Sequence, residues 1–263
     1  MVLSGSVAAV TGGGAGIGAA LCRGLRKAHA SIAVLDINAD AAKRVATEVE
    51  GIGLGVDVTD EAALRAAIAQ VERQLGPIDV FVSNAGVAFS DAPGNSAQTD
   101  NEYWQRSLAV NLMAHVYAAR ALLPRMLKRG SGCLVNVASA AGLLSQIGAA
   151  AYSASKHAAV GFAESLAIAY SDQGIQVAVV CPQYVATDLV TTLDQRLIDA
   201  VGGEILSAEE TADRIITGLR AEQFLILPHP EVATYLKRKA EDYDKWIDAM
   251  SELKRRALGA GTS

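Results

Sequence analysis

Tyr152 and Lys156 stand four residues apart in AAAYSASKHAAVGF, a run whose composition predicts a helix. Residues at i and i+4 share a helix face, so the ammonium of one can lie beside the phenol of the other and favour phenolate over phenol. Bringing a tyrosine from its ordinary value near ~10 to roughly 7 takes about 4 kcal/mol of preferential stabilisation of the anion. A phenol tuned in this way is an acid and a base usable at neutral pH. A helical Tyr–Lys pair seen alone is ordinarily a solvated contact, so the chemical reading depends on the elements that surround it.

The first of those elements lies at the other end of the chain. SVAAVT, residues 6–11, is a short apolar run that reads as a buried strand and leads directly into GGGAGIGAALCRGL. Gly12, Gly16 and Gly18 open a helix there; glycine permits the tight turn, lets backbone N–H groups approach a pyrophosphate, and lets helix and strand pack closely. A nucleotide-hydrolase P-loop needs Gly-Lys-Ser/Thr at its end, whereas Gly18 is followed by Ala19 and Ala20. The next strand, SIAVLD, ends at Asp36, where a carboxylate can hydrogen-bond the adenosine ribose and repel a 2′-phosphate. Neither Gly13 nor Ile37 supplies a cation for that phosphate, so NAD is expected rather than NADP. The plain alternative for Asp36 is a turn residue closing its strand.

With these motifs in order, the chain resembles the short-chain dehydrogenase/reductase family, in its compact single-domain branch, from about Val7 to at least Thr187. Thr11-Gly12 with Gly16, Ile17 and Gly18 matches T-G-x-x-x-G-I-G, and Ser83-Asn84-Ala85-Gly86 matches N-N-A-G with serine in the first place. Asp57-Val58 matches the carboxylate and backbone that hold the adenine. Asn111 matches the family's helix asparagine, Ser139 its serine, and Tyr152 with Lys156 its Y-x-x-x-K. The resemblance implies that Tyr152 exchanges the proton and that Lys156 holds the nicotinamide ribose and lowers the tyrosine pKa. It further implies that Ser139 holds the substrate oxygen and that Asn111 supports a relay water. Seen singly, Ser139 is a turn residue or helix cap, and Asn111 a support for a kinked helix. Pro182, Val185 and Thr187 fall where the family lines the nicotinamide side. Gln183 departs from the family's usual glycine, and a side chain there alters the pocket wall or the loop conformation.

The fold expected is α/β: a Rossmann-type doubly wound parallel sheet of about seven strands, near 6–11, 31–36, 52–57, 78–83, 132–138, 175–181 and 223–227, flanked by helices on both faces. The resemblance implies the order 3-2-1-4-5-6-7. Residues 1–263 read as one NAD-binding catalytic domain, with 231–258 as a C-terminal helical extension packing over the substrate region or against a partner subunit. Thr99 with Glu102 and Ser207 with Glu210 have capping-box spacing, which also makes Glu209-Glu210 helix-start charges rather than a dyad.

A hydrophobic fraction of 51% is high, yet no apolar stretch approaches the ~18 residues of a membrane span. With a net charge of −5 and no basic tract, nucleic acid is not an expected partner. The N-terminus lacks the basic residues of a signal peptide. Cys22, Cys133 and Cys181 and the four histidines show no metal-ligand spacing, so no metal is expected, and the cysteines read as small buried hydrophobes of a reducing, cytoplasmic setting.

These features together lead to an NAD-dependent oxidoreductase acting on a secondary alcohol or ketone. Leu143, Leu144, Gln146, Tyr184, Val185, Leu189, Val190 and Leu193 suggest a pocket for a small apolar or aromatic substrate. The resemblance implies a homotetramer or homodimer, with the helices near 100–128 and 151–172 at one interface. A non-catalytic NAD(H)-binding sensor or scaffold is the alternative. A methyltransferase would have no use for Ser139, Tyr152 and Lys156 together.

Overall fold

The computed structural model describes residues 2–91, 96–188, 190 and 195–259. Seven strands form one sheet in the order β3-β2-β1-β4-β5-β6-β7, with every pairing parallel. They are β1 (Val7–Thr11), β2 (Ser31–Asp36), β3 (Ile52–Gly55), β4 (Val80–Ser83), β5 (Gly132–Val137), β6 (Ile175–Val180) and β7 (Leu225–Ile226). Successive strand residues face opposite sides of the sheet, and both sides are covered, so the strands are apolar throughout rather than alternating.

One side is packed by α3 (Glu61–Leu75), α5 (Ala114–Arg129) and α7 (Ala150–Tyr170), which meet Ala9, Leu35, Phe81, Leu134 and Val179. The other side is packed by α1 (Gly16–Lys27), α2 (Ala39–Glu48) and α9 (Ala208–Arg220), which meet Ala8, Val10, Val34, Val82 and Val180. Each large side chain withdrawn from water, such as Phe81, Leu25 or Leu122, contributes roughly 1.5–3 kcal/mol. Cys22, Cys133 and Cys181 are unpaired and buried within these two layers.

Two local readings need correction. α4 (Asn101–Leu108) starts from Asp100 with no side-chain cap; the Thr99 hydroxyl donates instead to Asp91, so Thr99 and Glu102 form no capping box. Ser207 and Glu210 do form theirs. Residues 231–258 are two helices, α10 (Glu231–Glu241) and α11 (Tyr243–Leu258), because Asp242 adopts an extended conformation and caps the second by accepting from the Lys245 N–H. Between α4 and α5, residues Ala109–Met113 form a π-helical turn, with Asn111 at its centre. Of the remaining helices, α6 (Ala141–Leu144) follows β5 and α8 (Gln195–Val201) precedes α9.

Candidate active site

The sheet order reverses between β1 and β4, and a crevice opens at that point beyond the carboxyl ends of parallel strands. The glycine-rich turn after β1 and the Asn84-Ala85-Gly86 loop after β4 meet there. Asn84 joins them, its backbone N–H donating to the Thr11 hydroxyl (3.0 Å) and its amide to the Thr11 carbonyl (2.9 Å). Gly12 has φ +62, and a Cβ on it would lie 2.9 Å from Ala85 Cα; a Cβ on Gly18 would lie 2.1 Å from the Gly12 carbonyl oxygen. This turn therefore tolerates only glycine at both places. Ile17 packs on the adjoining core, and Thr187 approaches Gly16.

Helix α1 begins at this turn with no side-chain cap and no acidic residue in its first turn, whereas α2, α3, α9 and α11 are capped by Asn38, Asp60, Ser207 and Asp242. Its first N–H groups are left for an anion. At the crevice's outer end, Asp36 accepts from the Gly14 and Asn38 N–H groups, both at 2.9 Å. Arg44 of α2, which the reading of the loop did not count, donates to the Gly14 carbonyl at 3.4 Å. Asp57 accepts from the Thr59 N–H and hydroxyl, and the Thr59 N–H is the main cause that holds its carboxyl below the usual range. The Val58 side chain is in the core, so only its backbone can face a ligand.

The inner end carries the proton-transfer candidates. Ser139, on the turn between β5 and α6, accepts from the Ala141 N–H (3.1 Å) and hydrogen-bonds the Tyr152 phenol. Gly142 lets α6 lie against α7: a Cβ there would sit 2.6 Å from the Lys156 carbonyl oxygen. Lys156 is buried, donates to the Val137 carbonyl at 2.9 Å, and holds its ammonium 5.8 Å from the centre of the Tyr152 ring. Burial pushes the Lys156 ammonium down to about 8. It also pushes the Tyr152 phenol above its ordinary value, opposed by the Ser139 hydrogen bond. The lowered phenol pKa expected from the i, i+4 spacing is thus not a property of the protein groups alone. At this depth, desolvation outweighs a cation 5.8 Å away.

Asn111 and Lys156 both approach Gly86, where a Cβ would lie 3.4 Å from Asn111 Oδ1 and 3.5 Å from Lys156 Nζ. Asn111 accepts from the Val87 N–H (2.9 Å) and donates to the Val87 carbonyl (2.9 Å) and the Ser155 hydroxyl (3.0 Å). Both of its amide hydrogens are committed to holding the β4 loop against α7. Near Lys156 lie His115, which the sequence offered only as one of four dispersed histidines without metal-ligand spacing, and Asn136, to which it gave no role. Both are buried, and both His115 ring nitrogens and Asn136 Nδ2 lack a well-aligned hydrogen bond among the described residues. Burial, and then the Lys156 charge, push His115 down to about 3, so it is neutral. Its place one helical turn after Asn111 was the available clue.

The loop after β6 closes the site. The Pro182 carbonyl accepts from the Ala140 N–H (2.8 Å), Tyr184 and Val185 are buried, and Val185 makes a parallel bridge with Leu206. His229 fixes this loop: its Nδ1 accepts from the Gln183 N–H (3.1 Å) and its Nε2 donates to the Tyr184 carbonyl (3.0 Å). A chamber of about 50 Å³ bounded by Ser139, Tyr152, Ala88 and Val190 shares the walls Ala140, Gln146 and Tyr184 with a neighbouring vestibule of about 580 Å³. Leu144, Tyr184, Leu197 and Val201 line the vestibule from one side, and Tyr235, Trp246, Met250 and Leu253 of α10 and α11 roof it. Leu143, expected in the pocket, packs on the core, and its carbonyl accepts from the buried Lys239 of α10 at 2.6 Å. Leu189 and Leu193 lie outside the described residues.

A doubly wound parallel sheet with a Ser–Tyr–Lys cluster beside its glycine-rich turn defines a dehydrogenase-type α/β protein. Residues 6–197 match the family model described as short chain dehydrogenase, and the chain belongs to that family of oxidoreductases. It is 36% identical over 218 residues to 2-(S)-hydroxypropyl-CoM dehydrogenase 3 of Xanthobacter autotrophicus, covering 81% of this chain and 82% of that one. It is 42% identical over 169 residues to a protein of the same organism named inactive 2-(S)-hydroxypropyl-CoM dehydrogenase 2, covering 64% and 72%. A short chain dehydrogenase/reductase from Burkholderia phymatum, solved in complex with NAD, matches with a TM-score of 0.80 at 26% identity, over 93% of this chain and 96% of that one.

Proposed function

We propose that this chain is an NAD-dependent oxidoreductase that interconverts a secondary alcohol and a ketone. The observation that carries the reading is that uncapped α1 and Asp36, after β1 and β2, and Ser139, Tyr152 and Lys156, at and after the end of β5, gather beyond the carboxyl ends of the parallel strands where the sheet order reverses. A dinucleotide suits that crevice. Gly12, Gly16, Ile17 and Gly18 would cradle its pyrophosphate, Asp36 its adenosine ribose, Asp57 and the Val58 backbone its adenine, and Asn84, Ala85, Gly86, Pro182, Val185 and Thr187 its nicotinamide half. When bound, the nicotinamide supplies the hydride acceptor or donor.

The residues of the chain supply the rest. Ser139 orients the substrate oxygen, and Tyr152 takes the hydroxyl proton in oxidation and returns it in reduction. Lys156 places a positive charge beside the phenol and would bind ribose hydroxyls; Asn111 holds the Val87 backbone, and with it the loop after β4, against α7. The apolar vestibule favours a substrate with an apolar body. Assembly as a homodimer or homotetramer through α5 and α7 fits the exposed Ile168 on α7.

A non-catalytic NAD(H)-binding role is the second reading, favoured by the likeness to a protein named inactive. Spectrophotometric assay with NAD and NADP against a panel of secondary alcohols separates the two. Turnover lost in Tyr152→Phe, with NADH binding kept, is the expected result; turnover unaffected by that substitution rejects the role given to Tyr152.

A further inference from the structure

One histidine holds a wall of the site from outside it. His229, in the turn between β7 and α10, is 1% exposed. Its Nδ1 accepts from the Gln183 N–H, so that nitrogen carries no proton, and its Nε2 donates to the Tyr184 carbonyl. Gln183 and Tyr184 line both the chamber beside Tyr152 and the vestibule. Just before them, the Pro182 carbonyl accepts from Ala140, the residue after Ser139. The Tyr184 carbonyl also accepts from the Leu206 N–H (3.1 Å), and the Ala186 N–H donates to the Leu206 carbonyl (2.8 Å). The chain that leaves at Ala186 and returns at Leu206 carries α8, whose Leu197 and Val201 line the vestibule.

A second proton on this ring would turn Nδ1 into a donor facing another donor and leave the Gln183 N–H unpaired. We propose that neutral His229 is the positioning residue of the substrate wall, holding Gln183 and Tyr184 in place, and that a second proton releases that wall. This deepens the reading given above and rests on it for which ligand the wall meets. Burial is the main cause that keeps the imidazole below its ordinary value. Glu231 of α10 opposes it, as do the Tyr184 and Glu204 backbones, while Arg214 of α9 adds to it. Arg214 is itself engaged, donating to the Pro228 carbonyl at 2.6 Å. The released form takes its proton at an ordinary imidazole's value near ~6.5, and the clasped form only at lower pH. The clasp is therefore intact above about pH 6.5, and each unit of acidity below that favours release by up to about 10-fold.

The test follows backbone amide exchange, corrected for its intrinsic pH dependence, and imidazole nitrogen shifts in the full chain from pH 7.5 to 5.0. In wild type the Gln183 amide is expected to lose protection about 5-fold or more, in step with the His229 titration. The Val179 amide of β6, bonded to the Phe224 carbonyl, should hold its protection over the same range. His229→Gln, whose amide offers an acceptor and a donor but takes up no proton, should keep Gln183 protected throughout. Protection at Gln183 that is unchanged in wild type overturns the proposal, as does an equal loss in His229→Gln or a proton on Nδ1 at pH 7.5. If the variant does not fold, the wild-type shifts and exchange still decide. Kinetics read the consequence at the site: with 2-octanone and saturating NADH, wild-type KM should climb by a similar factor while NADH affinity is kept, and a level wild-type KM rejects the positioning role. If no ketone is reduced, the oxidoreductase reading suffers, and the exchange data still decide the clasp.

Discussion

Because burial raises the Tyr152 phenol against the opposing Ser139 hydrogen bond, the protein at neutral pH holds the proton that ketone reduction consumes. Oxidation needs that proton gone. We expect kcat/KM for oxidation to rise as pH climbs past neutrality, and then to turn over as Lys156, held at about 8, loses the charge beside the ring. Initial rates in both directions across pH check this; an oxidation profile that peaks on the acid side contradicts it. Asp36 carries the second expectation at this scale. Its carboxylate repels a 2′-phosphate, yet Arg44 lies close by at Gly14. Asp36→Ala should therefore narrow the preference for NAD over NADP by roughly 100-fold, since like-charge contacts cost several kcal/mol. Kinetics with the two cofactors measure the ratio.

Among the elements, the contact of α6 with α7 sets the distance between Ser139 and the Tyr152–Lys156 pair, and Gly142 makes that contact possible. Gly142→Ala places a methyl 2.6 Å from a backbone carbonyl that cannot turn aside. The expected cost is about 1–3 kcal/mol, read as a lower Tm, with kcat down ~10-fold or more as the hydroxyls separate. Elements of this kind differ in how far a sequence betrays them. The strands were legible as apolar runs because both faces of the sheet are covered, and Ser207–Glu210 because a capping box is local. The 231–258 segment read as one helix because its apolar periodicity runs on past Asp242, whose extended backbone appears only in three dimensions. Thr99 had the right spacing for a cap but a better partner in Asp91. The catalytic candidates stood in recognisable motifs, whereas His229 meets Gln183 across 46 positions, a pairing that no local pattern announces.

For the molecule as a whole, His115 ties stability to acid. Its folded pKa of about 3 lies below the ordinary 6.5, so the unfolded chain binds the extra proton between those values. Its contribution is fully present above about pH 6.5 and is lost as pH falls toward 3, to the extent of roughly 5 kcal/mol. His115→Gln should flatten the fall in denaturant-measured stability over that window. The vestibule roof depends on a different balance. No residue of α11 is fully buried, so ending the chain after Asp242 should lower Tm by only a few degrees while weakening binding of long-tailed ketones ~10-fold or more, with NADH affinity kept. The same feature means that one wall of the vestibule is written in a stretch of chain that adds little to what holds the protein together. Random change concentrated in α11 can explore new substrates without drawing down the stability that the sheet and its two apolar layers provide, which makes that helix the natural place to begin redirecting the enzyme in the laboratory.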